Sequence, residues 1–186
     1  MTDHEKSYSQ AGDQGETSLG NGVRVAKSSL RIRAFGDVEE ANAAIGLARL
    51  EADAQIDAIL AKIQGDLFDL GVDLAMPITG EAEAATRITP LQTGWLEEQI
   101  NGLTTNLMPP AGFVLPAGSP VSVRLYVARS VVRRAERAVV HLLEEPEEAV
   151  NRLVLAYLNR LSDLLFMLAR AANGMGGADI LRGSGF

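Results

Sequence analysis

Cysteine is absent from the 186-residue chain, aromatic residues make up only 5% of it, and no long apolar run interrupts it. Without cysteine there are no disulfides and no thiolate metal sites. Without roughly 20 consecutive apolar residues there is no membrane-spanning helix. Neither a membrane nor, at a net charge of −7, a nucleic acid is expected as a partner. The opening MTDHEKSYSQ is polar where a signal peptide would be apolar, which predicts a cytoplasmic protein. Histidine is scarce too. His4 and His141 lie far apart, and the paired Glu-x-x-His motifs of a di-iron bundle are missing, since His141 and Glu144 stand in the reverse order. Protein side chains are therefore not expected to hold a metal. The G-x-S-x-G elbow and the G-x-x-x-x-G-K-[ST] phosphate loop are also lacking.

What is present is 47% hydrophobic residue, rich in Leu, Ala and Val, a composition suited to packed helices in one domain. Residues 1–7 are expected to be disordered, 8–174 to form the domain and 175–186 to be a flexible tail. Up to about residue 34 the chain lacks helical periodicity. AGDQGETSLGNG and the basic stretch from Arg24 to Arg33 predict an ordered loop or arm. A first helix is expected from Asp37, which can cap it with Glu40 three residues on. A second should run from about Ala54 to Met76, where Ile56, Leu60, Ile63, Leu67, Leu70 and Leu74 form a seam and Pro77 follows. Thr89, Pro90 and Gln92 start a third helix, and Ser119-Pro120 a fourth that lasts to Glu145. Pro146 breaks the chain, and a fifth helix is expected from about Glu147 to Asn173, before Gly174. No strand pattern of any length is evident. The sum is an all-α bundle of five helices behind an N-terminal loop.

Three segments could carry chemistry. On the fourth helix Arg129, Arg133 and Arg137 are four apart and share a face, with Arg134 and Glu136 beside them. The pattern fits either a solvated face with local Arg–Glu pairing or a guanidinium row for phosphates. On the fifth helix Asn159, Asp163, Phe166 and Arg170 form a polar line in an apolar setting, as in a semi-buried network. AGDQGETSLG has the glycines and hydroxyls with which a loop can cradle an anion, and Lys27 could add a charge. A fourth stretch is odd in another way. PPAGFVLPAGSP, residues 109–120, has the prolines and glycines of a loop, yet Phe113, Val114 and Leu115 sit in its middle. Such a triplet must be buried, aggregate or grip something.

In order along the chain, GDQGETSL, RVAK, GDVEEANAAIG, LFDLGVDLA, FVLPAGS, ARSVVRRAER and YLNRLSDLLF closely resemble the PduO-type ATP:cob(I)alamin adenosyltransferases, from about Tyr8 to Asn173. The resemblance implies a ferritin-like five-helix bundle, assembled as a homotrimer with active sites between subunits. It implies transfer of the 5′-deoxyadenosyl group of ATP to the cobalt of cob(I)alamin, with release of triphosphate and with magnesium accompanying the nucleotide. Carried over, Gly12, Asp13, Gly15, Thr17, Ser18 and Lys27 would hold the triphosphate. Arg133, Arg134, Glu136, Arg137 and Asn159 would complete the ATP site, and Arg129 would pair with Glu39 across the interface. Phe113, with Val114, would lie under the corrin ring, where an apolar ring excludes the lower axial ligand and eases reduction. A reductase and an adenosylcobalamin-dependent enzyme are the further partners implied. The chain departs from the family at Ser9, Gln10 and Ala11, which lack a cation and a hydroxyl. It also departs at Ser28, Ser29, Glu39 and Ala41. The first departures leave open a second reading, a non-catalytic relative that binds cobalamin or nucleotide for delivery or sensing.

Overall fold

The computed structural model describes residue 8 and residues 10–78 and 86–183. Five helices carry the fold: α1 (Leu30–Arg49), α2 (Ala54–Ala75), α3 (Pro90–Thr104), α4 (Pro120–Leu143) and α5 (Leu153–Ala171). A small antiparallel hairpin precedes them, β1 (Glu16–Ser18) paired with β2 (Arg24–Ala26), Thr17 opposite Val25. The bundle is all-α in substance, as the sequence predicts. α1 packs between α4 and α2, and α5 packs against α4 and α3.

The apolar seam of α2 is the centre of the core. Leu60, Ile63, Leu67, Leu70 and Leu74 are fully buried and share one apolar cluster with Leu158, Leu161, Leu164 and Leu165 of α5. Burial of a side chain of this size stabilises by about 1.5–3 kcal/mol. Thr89 and Gln92 form the expected capping box, and Ser119 caps α4 by accepting from Ser122 N–H at 3.2 Å.

Four expectations need correction. The first helix starts at Leu30, not Asp37, because Ser29 caps it. Asp37 then lies inside the helix and pairs with Arg134 at 3.5 Å. The basic stretch hides this start. Arg31 is no loop cation but a buried anchor, donating to Glu148 through Nε at 2.9 Å and to the carbonyls of Leu74 and Ala149. Second, the two strands have only three residues each, too short to show a period of two. Third, α5 begins at Leu153, since Asn151 holds the preceding loop by donating to Asp73 at 2.7 Å and to Ile88 O at 2.8 Å. Fourth, the segment after 174 is not free over its described length. Leu115 N–H donates to Ile180 O and Arg182 N–H to Phe113 O, both at 2.8 Å. The expected disordered residues 1–7, and Ser9, lie outside the described residues.

Candidate active site

The hairpin builds one half of the site. Gly15 has φ +83°, a left-handed conformation that suits glycine, and turns the chain so that Lys27 N–H bonds Gly15 O at 2.8 Å. Gly12 and Lys27 come together. A Cβ on Gly12 would stand 3.0 Å from Lys27 Nζ. Arg24 braces the turn from below, donating to Ala11 O at 2.7 Å. Gly12, Asp13, Gly15, Thr17, Ser18 and Lys27 all lie on this hairpin and its turn, and most of them are exposed. The hairpin is tied to the bundle by buried Leu19 and by Gly20 N–H on Ala75 O at 3.0 Å. Among the described residues, none of these six residues bonds to α4 or α5.

The second half lies on α4 and α5. Asn159 donates to Glu136 at 2.9 Å, and Arg137 folds back on the Arg133 carbonyl at 2.9 Å. Arg133 and Arg137 are exposed. Arg134 leaves this group: its guanidinium turns to Asp37 and Glu40 of α1. Arg124 does the same with Glu51 at 2.8 Å, so the α1–α4 seam carries local pairing at both ends. The basic row therefore divides, with one part spent on the seam and another left facing outward.

Arg129 lies deeper. It stands 5.5 Å from the Phe166 ring centroid, close enough for a cation–π contact, and its buried Nε has no hydrogen-bond partner. It lines a cleft of about 580 Å³ with Ile100, Arg160, Asp163 and Phe166. Glu39 sits elsewhere, exposed on α1 at the rim of an apolar groove of about 400 Å³ lined by Phe35, Leu67 and Phe68. Among the described residues neither Glu39 nor Arg129 has an ion-pair partner, and one chain does not bring them together. Tyr126 packs edge-on to Phe166, with ring centroids 6.2 Å apart. Burial, then the Asp179 carboxylate, pushes its phenol above the ordinary range.

The Phe113 loop gives the third element. Its ring is 79% exposed although its backbone is paired with Arg182. Val114 forms a bridge with Leu181 and is half-buried. The triplet is thus neither plug nor core: its backbone is fixed and its leading ring points outward. Sequence reasoning missed Asp37, Glu40 and Asp179 as partners in this region. Asp179 is a lone acid in a glycine-rich segment and offers no periodic signal.

One chain thus presents an exposed aromatic ring on a pinned loop, a Gly12–Lys27 approach in the hairpin turn and outward-facing Arg133 and Arg137 on α4. Residues 7–172 match the family model for cobalamin adenosyltransferase. A corrinoid adenosyltransferase of Mycobacterium tuberculosis H37Rv is 46% identical over 169 residues, covering 89% of this chain and 88% of its own. The human corrinoid adenosyltransferase MMAB is 39% identical over 173 residues, covering 90% of this chain and 68% of its own. A solved PduO-type ATP:corrinoid adenosyltransferase of Lactobacillus reuteri, a phenylalanine-to-alanine variant complexed with cobalamin and ATP, matches with a TM-score of 0.88 at 35% identity. That match covers 96% of this chain and all of the other. The chain belongs to the cobalamin adenosyltransferase family, and its chemistry is ATP-dependent adenosyl transfer to a corrinoid.

Proposed function

We propose that this chain forms adenosylcobalamin at sites shared between the subunits of a homotrimer. The observation that carries the reading is Phe113, an apolar ring held out into solvent by a backbone that is itself pinned. Under the corrin ring it would exclude water and the lower axial base. Cob(I)alamin then attacks C5′ of ATP, the C5′–O bond breaks, and triphosphate leaves with the electron pair. The protein contributes position and electrostatics. Gly12, Asp13, Gly15, Thr17, Ser18 and Lys27 hold the triphosphate, with Arg133, Arg137, Glu136 and Asn159 on the nucleotide from α4 and α5. Arg134 helps by fixing α1 against α4. Magnesium would come with the nucleotide and would neutralise charge on the leaving triphosphate. Among the described residues no three His, Asp or Glu side chains are grouped to hold a metal.

The two halves of the nucleotide site are not joined within one chain, and this supports a site completed by a neighbour. Glu39 and Arg129 are complementary charges on different faces. Two unlike patches that fit each other make a head-to-tail interface, which closes into a three-membered ring when the rotation between subunits is about 120°. Exposed Phe68, Val123 and Val127 add apolar area to be covered there. The reaction consumes cob(I)alamin, so a reductase must supply it, and an adenosylcobalamin-dependent enzyme is the natural recipient. The setting we propose is the cytoplasm. Among the described residues no helix is long and apolar enough to cross a membrane.

The test is anaerobic incubation with ATP, magnesium and cob(I)alamin. A cobalt–carbon absorption spectrum together with stoichiometric triphosphate is expected. Binding of both ligands without alkylation would instead favour the non-catalytic carrier, the reading suggested by Ser9, Gln10 and Ala11.

A further inference from the structure

The loop that bears Phe113 is held at three places, and one carboxylate joins all three supports. At its start, Arg170 donates to Met108 O, and Met108 N–H donates to Met175 O at 3.0 Å. At its end, Asn173 donates to Ala117 O at 3.0 Å and accepts from Ser119 N–H at 2.9 Å. Gly118 permits that closure: with φ +115°, a Cβ there would lie 2.2 Å from Asn173 Oδ1. In its middle, residues 113–115 pair with 180–182. Asp179 stands directly before that paired segment. Its carboxylate takes Arg170 Nε at 2.7 Å and Asn173 Nδ2 at 3.3 Å.

Arg170 and Asp179 are both 4% exposed as side chains. A buried ion pair is a weak device for stability, because desolvation of two charges offsets much of their attraction. It is a strong device for direction, since both partners lose their options when either moves. Here it orients two backbones that would otherwise drift, the end of α5 and the segment after it. Phe166 stacks near both guanidinium groups, 5.9 Å from Arg170 and 5.5 Å from Arg129, and fixes the Arg170 side chain from its other flank.

We propose that Asp179 is a positioning residue, which through Arg170, Asn173 and the 180–182 pairing sets the placement of the Phe113 ring and so the coordination state of bound cob(II)alamin. This rests on the reading of Phe113 as the ring under the corrin. The clasp acts on the lower face of the corrin. It leaves the nucleotide site alone, since none of its members is among the residues assigned to ATP.

The experiment compares Arg182→Pro with Arg182→Ala in the full chain. The Arg182 side chain is exposed, so alanine removes little, whereas proline also deletes the N–H that bonds Phe113 O. Asp179→Asn is the third variant; it keeps the shape and discards the charge. Each is loaded anaerobically with ATP and cob(II)alamin, and the four-coordinate fraction is read by electron paramagnetic resonance. Arg182→Ala should match wild type. Arg182→Pro and Asp179→Asn should lower the ratio of four- to five-coordinate cobalt about fivefold, the factor that one lost hydrogen bond carries. Adenosylation from cob(I)alamin, which needs no ligand removed, should stay within about twofold, with ATP affinity unchanged. Equal four-coordinate fractions in all four proteins would overturn the clasp. So would a parallel fall in melting temperature and in both rates, since that is what a purely structural pair gives. If wild type makes no cobalt–carbon bond at all, the assigned activity fails instead, and the clasp is still judged on the coordination spectrum.

Discussion

Asn159 on α5 donates its side-chain amide to the carboxylate of Glu136 on α4 at 2.9 Å. The bond ties α5 to α4, the helix that carries the basic row, at the level of Glu136. Asn159 is exposed, so its own burial contributes little to the fold. Asn159→Ala should raise the KM for ATP about tenfold, the scale of a lost hydrogen bond to a charged group. Its melting temperature should stay close to wild type. Steady-state kinetics beside a thermal melt check this; an unchanged KM would remove Asn159 from the nucleotide site.

Phe113→Ala separates site from scaffold more sharply. Truncating a buried Phe costs about 3–5 kcal/mol, but this ring is 79% exposed. Stability should therefore hold. The rate starting from cob(II)alamin should fall far more than the rate from chemically reduced cob(I)alamin. Equal losses accompanied by a large drop in melting temperature would show the ring to be a packing element.

Gly15→Ala tests the hairpin. At φ +83° an alanine costs roughly 1–2 kcal/mol. The strain falls on the turn that sets Lys27 beside Gly12, and the residue itself is exposed. ATP binding measured by calorimetry should weaken by up to about tenfold, with cobalamin affinity unaltered.

A pH experiment follows from Tyr157. Burial, with the nearby Asp66 carboxylate, pushes its phenol well above the ordinary value. The fold favours the neutral form, so this contribution to stability is fully present below the unfolded value of about 10 and is lost as pH rises through the raised folded value. Tyr157→Phe removes the hydrogen bond to Asp66 at 3.2 Å and should cost roughly 1 kcal/mol at neutral pH. Above pH about 10 the gap to wild type should narrow. Urea midpoints from neutral to alkaline pH measure it, and a gap that stays constant would contradict the assignment.

Charge exchange examines the proposed interface. Glu39→Arg and Arg129→Glu should each weaken assembly, and the double variant should recover it. Sedimentation velocity at micromolar concentration distinguishes these results. A wild-type monomer under those conditions would argue against a shared site.

Much of this protein was legible before folding. The seam of α2, the capping box at Thr89 and the Ser119-Pro120 start are local signals that need only one helix to be read. The family blocks were recognisable for a similar reason, since each block is contiguous. What sequence order cannot carry is the choice of partner. Arg31 and Arg133 are both arginines in basic stretches, yet one is a buried anchor on Glu148 and the other faces solvent. Arg134 sits beside exposed Arg133 yet turns to Asp37 and Glu40, because helical rotation of about 100° per residue sends neighbours to different faces. Asp179 becomes a hub only when α5 ends, the chain reverses through glycines, and the carboxylate meets Arg170 and Asn173. Composition and periodicity determined the helices and the core, and the resemblance carried by contiguous blocks pointed to the class of chemistry. Tertiary structure alone decided which charges are spent inside the bundle, which are left for ligands, and how an apolar ring in a proline-rich loop is held in place. Periodicity is a property of one segment, whereas pairing depends on the distance between several.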